Sequence, residues 1–182
     1  AGYVAKKMGL PINKLIIATN KNDILKRVME TGCYKPSEVK HTISPSMDIQ
    51  VASNFERLIF NITACDSKKT LKLMNDLNES GEFQLAKEEL QKIRNSFLSE
   101  SLSDEVTKSV ISEMYKNYGV LVDPHTAVGI GVTKKISPEE NTVVLSTAHP
   151  SKFPDVVMKA TGIKPELPEN LKSILVKKEK YD

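Results

Sequence analysis

Two short runs of apolar, largely β-branched residues set the terms for any fold this chain adopts. They are Leu15-Ile16-Ile17-Ala18-Thr19 and Thr142-Val143-Val144-Leu145-Ser146-Thr147. Runs of this length without polar alternation suit strands buried on both faces. The first run follows the Leu10-Pro11 turn and an opening stretch whose Val4, Ala5 and Met8 fall at helical spacing before Gly9. After it, Asn20-Lys21-Asn22-Asp23 offers N-caps for a helix from about Asp23 to Glu30, closed by Thr31-Gly32. The second run lies between a helix starting at Asp123-Pro124 and reaching about Lys134, and one from Pro154 to Thr161 that Gly162 ends. Helix, strand and helix with short joins is the order a parallel α/β sheet requires. The expected class is α/β.

Between the two runs the pattern changes. Residues 41–49 are rich in turn formers, and Val51, Phe55, Leu58 and Ile59 then make one apolar helical face. From Asp66 to Tyr118 the chain is rich in lysine and glutamate. Its apolar positions, such as Leu71, Met74, Leu77 and Val106, Val110, Ile111, Met114, predict three or four surface helices, the last stopped by Gly119. Gly129-Ile130-Gly131 falls inside a predicted helix and reads as a place of close helix packing. The opening helix has no N-cap residue before it, so the expectation is a chain that begins part-way through an element of a larger protein.

Composition removes several function classes. Lysine and arginine number 26 against 23 acids, a net charge of +3, and aromatics are 5% with no tryptophan. That is a poor footprint for a nucleic-acid surface, which combines clustered charge with stacking rings. The densest basic cluster, Lys177, Lys178 and Lys180, reads as a solvated tail ending in Tyr181 and Asp182. Cys33 and Cys65 stand in no metal or redox spacing, and no apolar run approaches a membrane span. The expectation is a soluble cytoplasmic protein without nucleic-acid or membrane partners.

Ligands of open α/β sheets sit at the carboxyl ends of strands. That rule selects Thr19-Asn20 and Ser146-Thr147-Ala148-His149. Threonine also ends strands for steric and capping reasons, so the residues alone leave both readings open. His41, His125 and His149 have no carboxylate or cysteine at fixed spacing and form no zinc set; no metal is expected. There is no Walker loop and no dinucleotide fingerprint.

Several stretches resemble threonine synthase, in that family's order. They are Gly9-Leu10-Pro11-Ile12 with Leu15 to Asn20, Asn22-Asp23-Ile24-Leu25, and Ser44-Pro45-Ser46-Met47-Asp48-Ile49-Gln50-Val51 with Ser53-Asn54-Phe55-Glu56-Arg57-Leu58. Later come Asp123-Pro124-His125-Thr126-Ala127-Val128-Gly129 and Ser146-Thr147-Ala148-His149-Pro150-Ser151-Lys152-Phe153-Pro154. The resemblance runs to about residue 170. It implies a fold-type II enzyme that uses pyridoxal 5'-phosphate to convert O-phospho-L-homoserine and water to L-threonine and phosphate. Residues 1–60 would then be part of the cofactor-binding α/β domain as one piece of a three-layer parallel sheet. Residues 61–119 would be a helix-rich insertion, and 120–182 a return to α/β structure with a tail.

The resemblance also implies that the cofactor lysine and phosphate loop lie upstream of Ala1, leaving no catalytic residue in this chain and the isolated chain inactive. One cofactor contact carries over: the threonine that meets the pyridine nitrogen is Thr147. A hydroxyl can donate to an unprotonated ring nitrogen, where a carboxylate would favour its protonation. The alternative for Thr147 is a plain strand-end residue. Asp48, Ser53, Asn54 and Arg57 are expected near substrate. The Arg57 fork would meet a carboxylate or phosphate, or else be held on its helix by Glu56 or Asp48. A non-catalytic module descended from the same fold is the competing reading.

Overall fold

The computed structural model describes residues 1–137 and 141–179, without the side chains of 174–176. Its centre is a pair of parallel strands, β1 (Leu15–Thr19) and β4 (Phe97–Ser101), with Leu15 opposite Phe97 and Thr19 opposite Ser101. The pairing runs one step further, as the Leu102 amide donates to the Thr19 carbonyl at 2.9 Å. Successive side chains of a strand face opposite ways. Ile17 accordingly packs into one core, while Ile16 and Ala18 pack into the other. Both faces are covered by helices, which is the three-layer α/β arrangement the opening run predicts.

The first core is built by α2 (Ile24–Thr31), α3 (Ser53–Ile62), α4 (Ser67–Ser80) and α5 (Lys87–Ser96). It centres on Ile24, Val28, Ile59 and Ile93, with Phe55 and Phe83 buried beside them. Tyr34, in the two-residue strand β2 (Cys33–Tyr34), stacks on Phe83 at 4.8 Å and on Phe55 at 5.6 Å. Its hydroxyl accepts the Ala52 amide at 2.8 Å, so the ring's polar end is satisfied. Strand β3 (Phe83–Gln84) pairs antiparallel with β2.

The second core joins α6 (Asp104–Tyr118) and α7 (Pro124–Ile136) through Val110, Ile111, Val128 and Val132, and α8 (Pro154–Thr161) packs Val156 and Ala160 against it. A Cβ at Gly131 would stand 2.5 Å from a Leu102 methyl and 3.1 Å from one of Val110. The glycine pair in α7 is thus a close-packing device, as its place in the sequence indicates. The opening helix, α1 (Gly2–Lys7), is shorter than its pattern predicts and leaves Val4 and Met8 exposed. Lys177 and Lys178 are exposed; Lys180 to Asp182 lie outside the described residues.

Three expectations are corrected. Residues 142–147 join neither of the two sheets among the described residues. The run lies beside α7, with Val144 against Gly129 while Val143 and Leu145 are 89% and 71% exposed. Propensity supplies an extended backbone, but a strand also needs a partner to bond. The strand that does pair with β1 is Phe97-Leu98-Ser99-Glu100-Ser101, inside the stretch read as wholly helical. Its charged position hides it in the sequence. Glu100 can sit there because Lys26 and Lys135 each reach it at 3.1 Å. The third correction concerns faces: Leu71 and Val106 are exposed, and Thr70, Leu73 and Thr107 take the buried positions. Val51 precedes α3 and is exposed too.

Candidate functional site

Where β1 ends, the chain turns on buried amides. Asn20 and Asn22 are 1% and 2% exposed, and the Asn22 amide donates to Asn20 Oδ1 at 2.8 Å. Asparagine suits this corner because its side chain copies a backbone turn. Residues 40–48 are tied down on these amides. Lys40 N donates to Asn22 Oδ1 at 2.8 Å, and Asn22 Nδ2 donates to the Lys40 carbonyl at 2.8 Å. Asn20 Nδ2 donates to Ser44 Oγ at 3.0 Å and to Asp48 Oδ1 at 2.8 Å. Asp48 Oδ1 also accepts Asn22 Nδ2 at 3.1 Å and the Thr42 hydroxyl at 2.6 Å, and Asp48 Oδ2 accepts the Thr42 amide at 2.9 Å. Asp48 therefore holds this segment in shape with both its oxygens.

A second polar knot sits at the start of α7. Asp123 is fully buried and caps the helix, accepting from the His125 amide at 2.9 Å. The same oxygen meets His125 Nδ1 at 2.9 Å, while the other takes the Thr126 hydroxyl in a short hydrogen bond. His125 Nε2 accepts the Ser46 amide at 3.1 Å. With Nε2 an acceptor, Nδ1 carries the proton and donates to Asp123. His125 also lies against the Phe153 ring at 4.7 Å. The helix start thereby holds the 44–48 segment on one side and the chain after Thr147 on the other.

Thr147 itself is exposed. Its amide donates to Thr126 Oγ1 at 3.1 Å. Among the described residues its hydroxyl has no hydrogen-bond partner, and it lines an open cleft of about 780 Å³. Around it stand Gly119, Ser146, Ala148, His149 and Glu166. Gly119 ends α6 with φ of +67°, a left-handed conformation that favours glycine. Small residues beside an unshared hydroxyl leave that hydroxyl accessible to a ligand in the cleft. Among the described residues that line the cleft there is no lysine. The set fits the ring-nitrogen end of pyridoxal phosphate and supplies nothing to bond its aldehyde.

Ser53, Asn54 and Arg57 lie exposed on α3, on the side away from buried Phe55 and Ile59. Among the described residues the Arg57 guanidinium pairs with neither Glu56 nor Asp48. Sequence reasoning reached Thr147 and the amide corner at Thr19-Asn20. It took Asp123-Pro124-His125-Thr126 for a helix start whose His125 could hold a neighbouring loop, as the bond from Ser46 does, and it missed the bond between Thr126 and Thr147. The visible signal was a cap carboxylate with a hydroxyl three residues on; the partners at 46 and 147 are products of the fold.

Comparisons with known proteins point to one family. Residues 126–182 match the family model described as threonine synthase, C-terminal. The threonine synthase of Pseudomonas aeruginosa is 41% identical over 99% of this chain and 39% of its own length. That of Saccharomyces cerevisiae is 41% identical over 99% of the chain and 40% of its own. The crystal structure of pyridoxal-phosphate-bound threonine synthase from Brucella melitensis superposes with a TM-score of 0.91 and 44% identity, covering 99% of this chain and 39% of that one. The chain spans about two fifths of the length of these relatives. Residues 1–182 are the counterpart of the C-terminal part of those enzymes, and the chain belongs to the threonine synthase family.

Proposed function

We propose that these residues form one wall of the cofactor site of a threonine synthase, which converts O-phospho-L-homoserine and water to L-threonine and phosphate. The observation that carries this reading is the Thr147 hydroxyl, exposed in the cleft with no partner among the described residues while its own amide is bonded to Thr126. Pyridoxal phosphate, when bound, supplies an electron sink for charge developing on the substrate carbon. The part of Thr147 is to donate a hydrogen bond to the pyridine nitrogen and leave that nitrogen unprotonated. A neutral ring is the weaker sink, so placed acids and bases must govern where protons move.

Arg57, Ser53 and Asn54 present an unpaired fork and two polar side chains on one exposed helix surface, in reach of an anionic substrate. Asp48 serves that surface indirectly by fixing the segment that precedes α3. On this reading the lysine that carries the cofactor lies in sequence N-terminal to residue 1, and residues 1–182 alone do not turn over.

The test is Thr147→Val in the full-length enzyme. The expected result is cofactor affinity at least about tenfold weaker and a shifted absorbance maximum of the bound cofactor, with an unchanged melting temperature; removing one hydrogen bond to a buried partner has about this size. An unchanged spectrum and affinity would refute the role given to Thr147. Borohydride treatment of residues 1–182 with cofactor is expected to label no lysine above the level of the denatured chain.

A further inference from the structure

We propose that Thr126 is a positioning residue for Thr147, anchored by the buried carboxylate of Asp123. This rests on the reading of Thr147 as the pyridine-nitrogen partner. A hydroxyl has one proton to give. Thr126 gives its proton to Asp123, a fully buried carboxylate that caps α7. What remains on Thr126 Oγ1 is acceptor capacity alone, and the Thr147 amide donates into it at 3.1 Å. The polarity of the chain is therefore fixed from the carboxylate outward: Thr147 amide to Thr126 hydroxyl to Asp123.

Two consequences follow for Thr147. Its N–H is taken, so it competes neither for its own hydroxyl nor for a ligand. Its backbone is also pinned to the first turn of a buried helix, although residues 142–147 belong to no sheet among the described residues. A segment bonded to no strand would otherwise carry its hydroxyl through a wide range of directions, and a hydrogen bond to a ring nitrogen weakens steeply as its angle closes. Asp123 joins the other side of the site through the same carboxylate. It fixes the tautomer of His125, whose Nε2 accepts the Ser46 amide. Within the segment Val144 packs on Gly129 three residues before Thr147; at Thr147 itself the hold is the bond from α7.

The experiment compares Thr126→Val, Thr126→Ser, Thr147→Val and the double variant Thr126→Val/Thr147→Val in the full-length holoenzyme. The readouts are cofactor affinity, the absorbance of bound cofactor across pH, and the melting temperature of the apoenzyme. Thr126→Val is expected to weaken cofactor binding about five- to tenfold and to move the absorbance in the direction Thr147→Val moves it. Thr126→Ser is expected to restore both. The double variant is expected to bind no more than about twofold more weakly than Thr147→Val, because the two side chains act in series.

A lowered melting temperature in Thr126→Val with unchanged affinity and spectrum would leave Thr126 a packing residue and overturn the proposal alone. Thr147→Val without spectral effect would overturn the reading beneath it as well. Should Thr126→Val not fold, amide exchange of residues 142–148 in the unaltered enzyme decides: slow exchange at the Thr147 amide supports the bond, and free exchange removes it.

Discussion

Two segments of nearly the same composition meet opposite fates in this molecule. Leu15–Thr19 becomes the strand on which both cores rest, whereas Thr142–Thr147 lies beside α7 with two of its apolar side chains in solvent. The difference is not in the residues. β1 finds Phe97–Ser101 in register along its whole length, and helices cover both its faces. For 142–147 the neighbouring backbone is the first half of a helix, which has no row of free amides to offer. Its contacts with α7 include Val144 on Gly129 and the Thr147 amide on Thr126. A strand is the property of a pair, and a cleft-lining residue such as Thr147 can be held without one.

The largest effect that would break this comparison is expected at Gly131. Valine there places new atoms on Leu102 and Val110, where even a Cβ stands at 2.5 Å. Leu102 also continues the ladder onto Thr19, so the clash is passed to the sheet. Overpacking of this kind costs about 3 kcal/mol or more, and urea unfolding of Gly131→Val is expected to show it, or the protein to be recovered insoluble. A loss below about 1 kcal/mol would mean that the second core is looser than its packing indicates.

Next in size is Ile17→Ala, expected to cost about 2–3 kcal/mol in the same measurement, since Ile17 reaches the first core from the middle of β1. Val144→Ala is the matched change in the other run, and about 1 kcal/mol is expected there because Val144 touches only one side of α7. Equal costs would erase the distinction drawn between the two segments.

Much of this was legible beforehand, and the failures have physical causes. The helix starting at Asp123-Pro124 and the one closing at Gly162 carry their own punctuation, so cap residues alone place them. Asn20 was reachable because a polar residue at the end of an apolar run marks a sheet edge; the same rule selected Thr147, which ends no sheet strand among the described residues. β4 was not legible: its Glu100 looks like surface helix until Lys26 and Lys135 are brought to it from α2 and α7. The joint role of Asp123 and Thr126 was hidden for a like reason, since its meaning depends on residues 46 and 147 arriving from elsewhere.

Glu100 gives an effect between those of Ile17 and Val144, and it depends on pH. Its carboxylate accepts the Ser101 amide at 2.8 Å and then the two lysines, which together hold its pKa at about 2, well below the ordinary carboxylate value, although its partial burial pushes the other way. A depressed folded-state pKa stabilises at pH values above the unfolded pKa, and the contribution is lost as pH falls from about 4.5 toward 2. Glu100→Gln is expected to cost on the order of 2 kcal/mol at pH 7 after allowance for solvent screening. The gap to the unaltered chain should close as pH drops through that window. A gap independent of pH would assign the loss to packing.

The smallest expected effect is the sharpest test of what was said of 142–147. Val143 is 89% exposed, more than any other large apolar residue of the described chain. Removing methyl groups that already face water changes no buried area, so Val143→Ala should leave the urea midpoint of residues 1–182 within about 0.5 kcal/mol. Val143→Thr should do the same, since the β-branch is kept and the added hydroxyl is solvated. Measured in the full-length enzyme, the same substitutions ask a different question. A cost there of about 1 kcal/mol or more, absent from residues 1–182, would show that sequence outside this chain covers the segment and supplies the partner strand that it lacks here. No cost in either setting would leave Thr142–Thr147 an extended arm that presents Thr147 through its bond to α7 alone.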